Sequence, residues 1–273
     1  MMIKEILIAA LALGATAAAQ AQKGDTFLSL SAGGGLHQLG YSIDNGSRKG
    51  NAGFTLGAGY TYFLSASWGI STGVGVQSFK ATATLNALTK TPSVDAEGDA
   101  DELRTRYSGW KEEQRATLID IPFAATYRHA LNPKVGLMAS AGIKLSIPTK
   151  SRYKATGGTI TTTGYYSQWD VELGDLPEQG LRTYGDRPSD DITLRATVAL
   201  LADAGATYQL TDAISLYGGA YASYGLGSML KADNKPIYLK DGTYNGLFAS
   251  NAVGKVRPLA VGVKLGVMWN FMK

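Results

Sequence analysis

The sequence predicts an all-β chain, a single transmembrane up-and-down antiparallel β-barrel of eight strands, with ten as the alternative. Three observations point there. Several segments alternate apolar with small or polar residues at period two, over lengths near the 9–11 residues or so that a tilted strand needs to cross a bilayer. The connections between those segments alternate long and short. Aromatic residues collect at one end of the segments, the end carrying the short turns.

The amino end precedes the barrel. Lys4 leads into an apolar run from Ile6 to Leu13, then small residues up to Ala19-Gln20-Ala21. A charged start, a short apolar middle and a small-residue site form a secretory signal, expected to be cut after Ala21. The expected organisation is therefore 1–21 as a cleaved signal peptide and 22–273 as one barrel domain. The apolar run is shorter than the roughly 20 residues of a spanning helix. Cysteine is absent, which excludes a lipoprotein anchor, disulfides and thiolate metal sites. Mean hydropathy is close to zero, unlike a bundle of membrane helices. The 34 glycines and 15 tyrosines fit β-structure instead. A net charge of +4 without a basic cluster interleaved with aromatics gives no footprint for nucleic acid.

The eight strands are placed at 26–37, 52–64, 68–80, 116–129, 134–147, 192–210, 213–228 and 256–271. The last shows the pattern best: Leu259, Val261, Val263, Leu265, Val267 and Trp269 share one face, while Ala260, Gly262, Lys264 and Gly266 share the other. In the second, Phe54, Leu56, Ala58, Tyr60 and Tyr62 oppose Gly53, Thr55, Gly57 and Gly59. The same reading separates Ile119, Ile121 and Phe123 from Asp120 and Ala124, and Leu137, Ala139 and Ala141 from Ser140 and Gly142. The connections 38–51, 81–115, 148–191 and 229–255 are long, and those between are short. Long loops outside and short turns in the periplasm are the habit of outer-membrane barrels of Gram-negative cells. The ten-strand alternative would place a further hairpin in 148–191, around Gly157-Gly158.

Phe27, Tyr62, Phe63, Trp68, Tyr127, Tyr208, Trp269 and Phe271 fall at the expected periplasmic strand ends and read as one aromatic girdle. Asp120, Arg128, Lys134, Lys144, Arg195, Asp203 and Lys264 fall on the inward face and read as a lumen charge network. An eight-stranded barrel is just wide enough for side chains to fill, so these charges are expected to pair across a closed lumen rather than to line an ion path.

The strand Leu118-Ile119-Asp120-Ile121-Pro122-Phe123, the closing Trp269-Asn270-Phe271 and the run Ile160-Thr161-Thr162-Thr163-Gly164-Tyr165 resemble the porin-like outer-membrane β-barrel proteins abundant in Bacteroidota. That resemblance implies an outer-membrane location and no single shared activity.

Four features of the sequence bear on chemistry. Small barrels that cut or transfer lipid acyl chains need His beside a nucleophile and an acid, and only His37 and His129 occur. His37 is expected as a solvated group near the outer rim. Asp95, Glu97, Asp99, Asp101, Glu102, Glu112 and Glu113 lie in 81–115; with the glycine and terminal glutamate of a calcium loop misplaced, they read as a solvated acidic loop, or one that binds divalent ions loosely beside lipopolysaccharide. The connection 229–255, with Lys231, Lys235, Lys240 and Lys255 against Asp233 and Asp241, could meet anionic lipid A. Gly33-Gly34-Gly35 and Gly157-Gly158 lack the strand–helix context of a phosphate loop. No enzyme, cofactor or metal is expected. The expected partners are outer-membrane lipid and lipopolysaccharide, the barrel-assembly machinery during biogenesis and a neighbouring or extracellular protein. The functional choice is between a structural or surface-interaction protein with a closed or nearly closed lumen and a narrow porin for small solutes, with a lipid-modifying outer-membrane enzyme as the further alternative.

Overall fold

Residues 24–95, 97–230, 237, 239–240 and 243–270 are described by the computed structural model. The expected signal peptide, Phe271, Lys231, Lys235, Asp233 and Asp241 lie outside them. Eight long strands form the wall: β1 (Thr26–Gly40), β2 (Ala52–Phe63), β3 (Trp68–Val94), β4 (Ala100–Ala130), β5 (Val135–Tyr166), β6 (Thr197–Gln209), β7 (Ile214–Gly225) and β8 (Arg257–Asn270). Each pairs antiparallel with the next, and β8 returns to β1 with Gly34 opposite Val263 and Leu30 opposite Val267. The ring is closed and leaves no edge in the wall, as a strand structure in lipid requires.

Alternation decides which side faces out. Leu30, Leu56, Val263 and Leu265 are between half and three-quarters exposed on the outer surface, while Ser31, Gly57 and Lys264 point inward. The three tight turns, at 64–67, 131–134 and 210–213, owe their shape to short polar side chains. Ser65 Oγ accepts the Trp68 N–H at 3.0 Å, Asn132 Oδ1 the Val135 N–H at 2.8 Å and Thr211 Oγ1 the Ile214 N–H at 3.0 Å. Such side chains mimic a backbone turn, so a long loop is unnecessary.

The two connections expected at 81–115 and 148–191 are mostly strand. β3 runs to Val94, β4 begins at Ala100 and β5 continues to Tyr166, so one side of the barrel rises well beyond the rest as a sheet. Gly157-Gly158 makes no hairpin; it is a bulge in β5, and the chain reverses later, between Tyr166 and Val171. The ring therefore holds eight strands. At this bulge Gly158 has φ +80 and Gly109 opposite it φ +57, and a Cβ on Gly158 would lie 2.3 Å from the Gly109 carbonyl oxygen. The bulge also changes the phase. On β4 the buried positions are Glu112, Trp110 and other even numbers below Gly109, but Tyr107 and Thr105 above it. Short strands Gly46–Gly50, Val171–Leu173, Thr183–Tyr184 and Ser189–Asp191 add to the sheet's flanks.

The apolar core sits in this raised half rather than at mid-barrel. Leu39, Phe79, Leu85, Tyr107, Trp110, Leu118, Tyr153 and Ile160 turn inward. Met229, Leu247, Phe248, Val253 and Val256, from the connection between β7 and β8, pack onto them. The connection expected to be a solvated basic loop thus folds into the barrel mouth along most of its described stretch, where Ala249, Asn251, Gly254 and Lys255 are the exposed residues.

Candidate functional site

The interior of the barrel is stacked in layers. At the end of the short turns, Arg128 lies over the Phe63 ring, 3.9 Å from its centroid, and its guanidinium pairs with Asp25 at 2.7 Å. Phe27 meets Phe63 edge-on at 5.8 Å. Phe63 is 1% exposed. Phe27 and Phe63, expected in the outward girdle, therefore turn inward: Phe27 precedes the outward Leu28 by one residue, and Phe63 follows the outward Tyr62 by one. The reason is the period of two, which ties facing to parity rather than to residue type. Trp68, Tyr127, Tyr208 and Trp269 do face out and are 38–56% exposed, with Tyr62 half-buried on the same outward phase. Beside Phe63 a cavity of ≈ 470 Å³ is lined by Arg128, Lys134, Thr207, Gln209 and Met268 among others.

The middle layer is polar. Asp203 is 3.2 Å from the Lys264 ammonium and accepts the Tyr217 O–H at 3.0 Å. Lys144 donates to Asp120 and to Gln77 Oε1, both at 2.8 Å, and Ser146 donates to the other Asp120 oxygen at 2.5 Å. Of the seven lumen charges read from the sequence, four form these two pairs, and Arg128 pairs lower down. Lys134 sits in a turn and is exposed, and Arg195 is exposed two residues before β6 begins. Both fall outside the wall because the strands start later than the alternation suggests. A cavity of ≈ 220 Å³, lined by Ser29, Ser31, Thr55, Asp203, Lys264 and Tyr217 among others, occupies this layer.

His37 belongs to the top of the polar layer and is fully buried, not solvated at a rim. Its Nδ1 lies 3.1 Å from the Ser78 carbonyl oxygen, which can only accept, so Nδ1 carries the proton. Nε2, 2.5 Å from Tyr221 Oη, is then the acceptor of the tyrosine hydroxyl. Tyr217, Tyr221 and Gln77 were not foreseen; an inward tyrosine beside an inward acid on the neighbouring strand is the signal that could have found Tyr217. His129 is exposed at the other end.

Above His37 lies the apolar plug, and one carboxylate is buried in it. Glu112 is 0% exposed. It accepts the Tyr244 O–H at 2.8 Å, the Leu247 N–H at 3.1 Å and an N–H of Gln114 at 2.8 Å. Burial pushes its carboxyl up, against those three hydrogen bonds, which pull it down. Tyr244 is pushed well above its usual value by burial and by the nearby Glu112.

The seven acids of 81–115 do not form one loop. Asp95, Glu97 and Asp99 cluster at the tip of the β3–β4 hairpin with carboxylate oxygens within 4.8 Å. Asp95 accepts the N–H groups of Glu97 and Asp99, both at 2.9 Å, and the Asp99 amide foremost holds its carboxyl low. Asp101 and Glu102 lie on β4; Glu112 points into the plug and Glu113 outward.

The outer membrane protein beta-barrel domain family matches residues 7–174, well over half of the sequence. The chain belongs to this family of outer-membrane barrels. Among solved structures, it is similar to Neisserial surface protein A, with 13% identity, TM-score 0.38 and coverage of 91% of this chain and 98% of that one. It is similar also to OprG from Pseudomonas aeruginosa, with 10% identity, TM-score 0.38 and coverage of 93% and 98%. The attachment invasion locus protein Ail of Yersinia pestis gives 13% identity, TM-score 0.31 and coverage of 91% and 100%. No curated protein sequence matches the chain.

Proposed function

We propose that this outer-membrane barrel serves a structural or surface-interaction role: it anchors the raised β3–β5 sheet outside the cell and does not conduct. The observation that carries this reading is the apolar plug, in which Trp110, Phe79 and Leu118 from the wall meet Leu247, Phe248 and Met229 from the last connection. An apolar, close-packed mouth offers no path for hydrated ions. Outward Trp68, Tyr127, Tyr208 and Trp269 act as the periplasmic girdle, and the Asp120–Lys144 and Asp203–Lys264 pairs neutralise the lumen. The signal peptide is removed on export, the assembly machinery inserts the barrel, and neighbouring surface proteins meet the raised sheet. Catalysis is no part of this reading, because both ring nitrogens of His37 are engaged, by Ser78 and Tyr221. Single-channel recording in planar bilayers tests it. The purified barrel should show no steady conductance; steady conductance at the level of a general porin overturns the closed-lumen reading.

One observation favours the second reading, a narrow pore. The two lumen cavities share Met138 and Met268 in their linings. Flexible methionines between polar cavities could part more easily than aromatic rings.

A further inference from the structure

The outward face of β3, β4 and β5 carries a sharp change of chemistry along the strands. One cross-strand row is Val76, Ile119 and Ile147, apolar and facing lipid. Further out, four residues along β3 and β4 and five along β5, where the register shifts beside Leu118, the row is Lys80, Arg115 and Arg152, three cations directly opposite one another on neighbouring strands. Lys150 opposes Thr117 between the two rows, and Lys154 opposes Glu113 just beyond. Each step of two residues advances about 7 Å along a strand. The basic row thus begins where the apolar band ends.

Like charges directly opposite one another on a sheet are destabilising unless something neutral or anionic lies between them. Here the chain supplies only part of the answer. Glu113 bonds Lys80 at 2.6 Å and Arg115 at 2.5 Å, and Asp191 reaches Arg152 at 3.5 Å. Arg115 and Arg152 remain 64% and 58% exposed. Lys150 and Lys154 are exposed and form no ion pair among the described residues. Five cations face two carboxylates on this patch.

We propose that this patch binds the phosphates of an anionic outer-leaflet glycolipid, with the acyl chains lying on the Val76–Ile119–Ile147 row. The proposal rests on the reading that β3–β5 span the outer membrane. Two features select a lipid over a soluble anion. The basic row is continuous with the apolar row on the same three strands, so a molecule with both characters fills both. Arginine, which grips a phosphate through two N–H groups at once, occupies the centre of the row. The face is also open: no other element of the described structure covers it.

Native mass spectrometry of the intact chain decides the matter. The native protein and the variant Lys80→Gln/Arg115→Gln/Arg152→Gln are inserted in phosphatidylcholine vesicles containing bisphosphorylated lipid A or its dephosphorylated form. Protease protection of the barrel, measured first in pure phosphatidylcholine, reports insertion by itself. The native chain should retain bisphosphorylated lipid A, and the triple variant, equally inserted, should retain at least about tenfold less. Equal retention by the variant, or equal retention of the dephosphorylated lipid, overturns the proposal. So does displacement of the lipid by inorganic phosphate at matching phosphate concentration, which would make the patch a site for free anions. Failure of both chains to become protease-protected overturns the membrane reading instead.

Discussion

The residues with most at stake are the buried charges. Lys144 and Asp120 are 6% and 5% exposed at the side chain, and each has a second partner, Gln77 for Lys144 and Ser146 for Asp120. Removing one partner strands the other, which costs about 3–5 kcal/mol. Lys144→Met should therefore lower the urea midpoint of the reconstituted barrel markedly, while Lys144→Met combined with Asp120→Leu should recover most of the loss. A double variant as unstable as the single one would show that the pair is not a unit. Facing gives a second test at this scale. Val263 and Lys264 are neighbours, yet Val263 is 69% exposed to the lipid side and Lys264 reaches Asp203. Val263→Arg should cost about 2–4 kcal/mol if that position is near the midplane. Folding yield in liposomes measures it, and an undiminished yield would contradict the assigned facing.

Elements were legible in the sequence where outward residues are apolar and inward ones small. That condition holds below Lys80, Thr117 and Ile147, which is why the strand pattern within the lipid band was readable. Beyond those residues the outward positions are mostly charged residues and threonines, Lys80, Arg115 and Arg152 among them, as expected of strands outside the lipid. Alternation of charged with aromatic residues reads as a polar loop, and the bulge at Gly109 and Gly158 then shifts the parity, so no single period survives across it. The lumen was legible only in part for a similar reason. Asp120, Lys144, Asp203 and Lys264 announce themselves as charges among apolar neighbours, whereas Tyr217 and Tyr221 look like interface aromatics until their hydroxyls find Asp203 and His37. The bulge makes its own prediction. Gly158→Ala forces a Cβ against the Gly109 carbonyl at a positive φ, and should cost about 1–3 kcal/mol. Trypsin should then cut the raised β4–β5 ladder faster while the lower barrel stays protected; unchanged cleavage would place the strain elsewhere.

The plug element adds a dependence on pH. Because burial raises the Glu112 carboxyl above its value in the unfolded chain, the folded form binds the proton more tightly. The stabilisation from that proton is complete below the unfolded value of about 4.3 and is lost as pH rises through the higher folded value. The urea midpoint should thus fall across that window in the native chain and stay nearly flat in Glu112→Gln. Equal slopes in the two proteins would show that Glu112 does not titrate there.

At the scale of the whole molecule, the proposed closure of the lumen has two parts, at two heights and of different chemistry. The outer seal is apolar and close-packed, and it depends on Leu247 and Phe248 being carried into the mouth by the Leu247 N–H bond to Glu112. The inner seal is Phe63 under the Arg128 guanidinium, locked by Asp25. Between them lies a polar cavity large enough for several waters. Two obstructions in series set a specific expectation: opening either one leaves the other in place. Leu247→Asp with Phe248→Asp should hydrate the mouth, and Phe63→Ala with Arg128→Ala should empty the lower neck, yet neither pair alone should conduct in planar bilayers. The four substitutions together should give brief events of low conductance, since eight strands leave no room for the wide aqueous channel of a 16–18-stranded porin. Conductance from the upper pair alone would show that the Phe63–Arg128 neck is no barrier. A silent fourfold variant that still folds would move the decisive block to the His37–Tyr221 and Asp120–Lys144 layer.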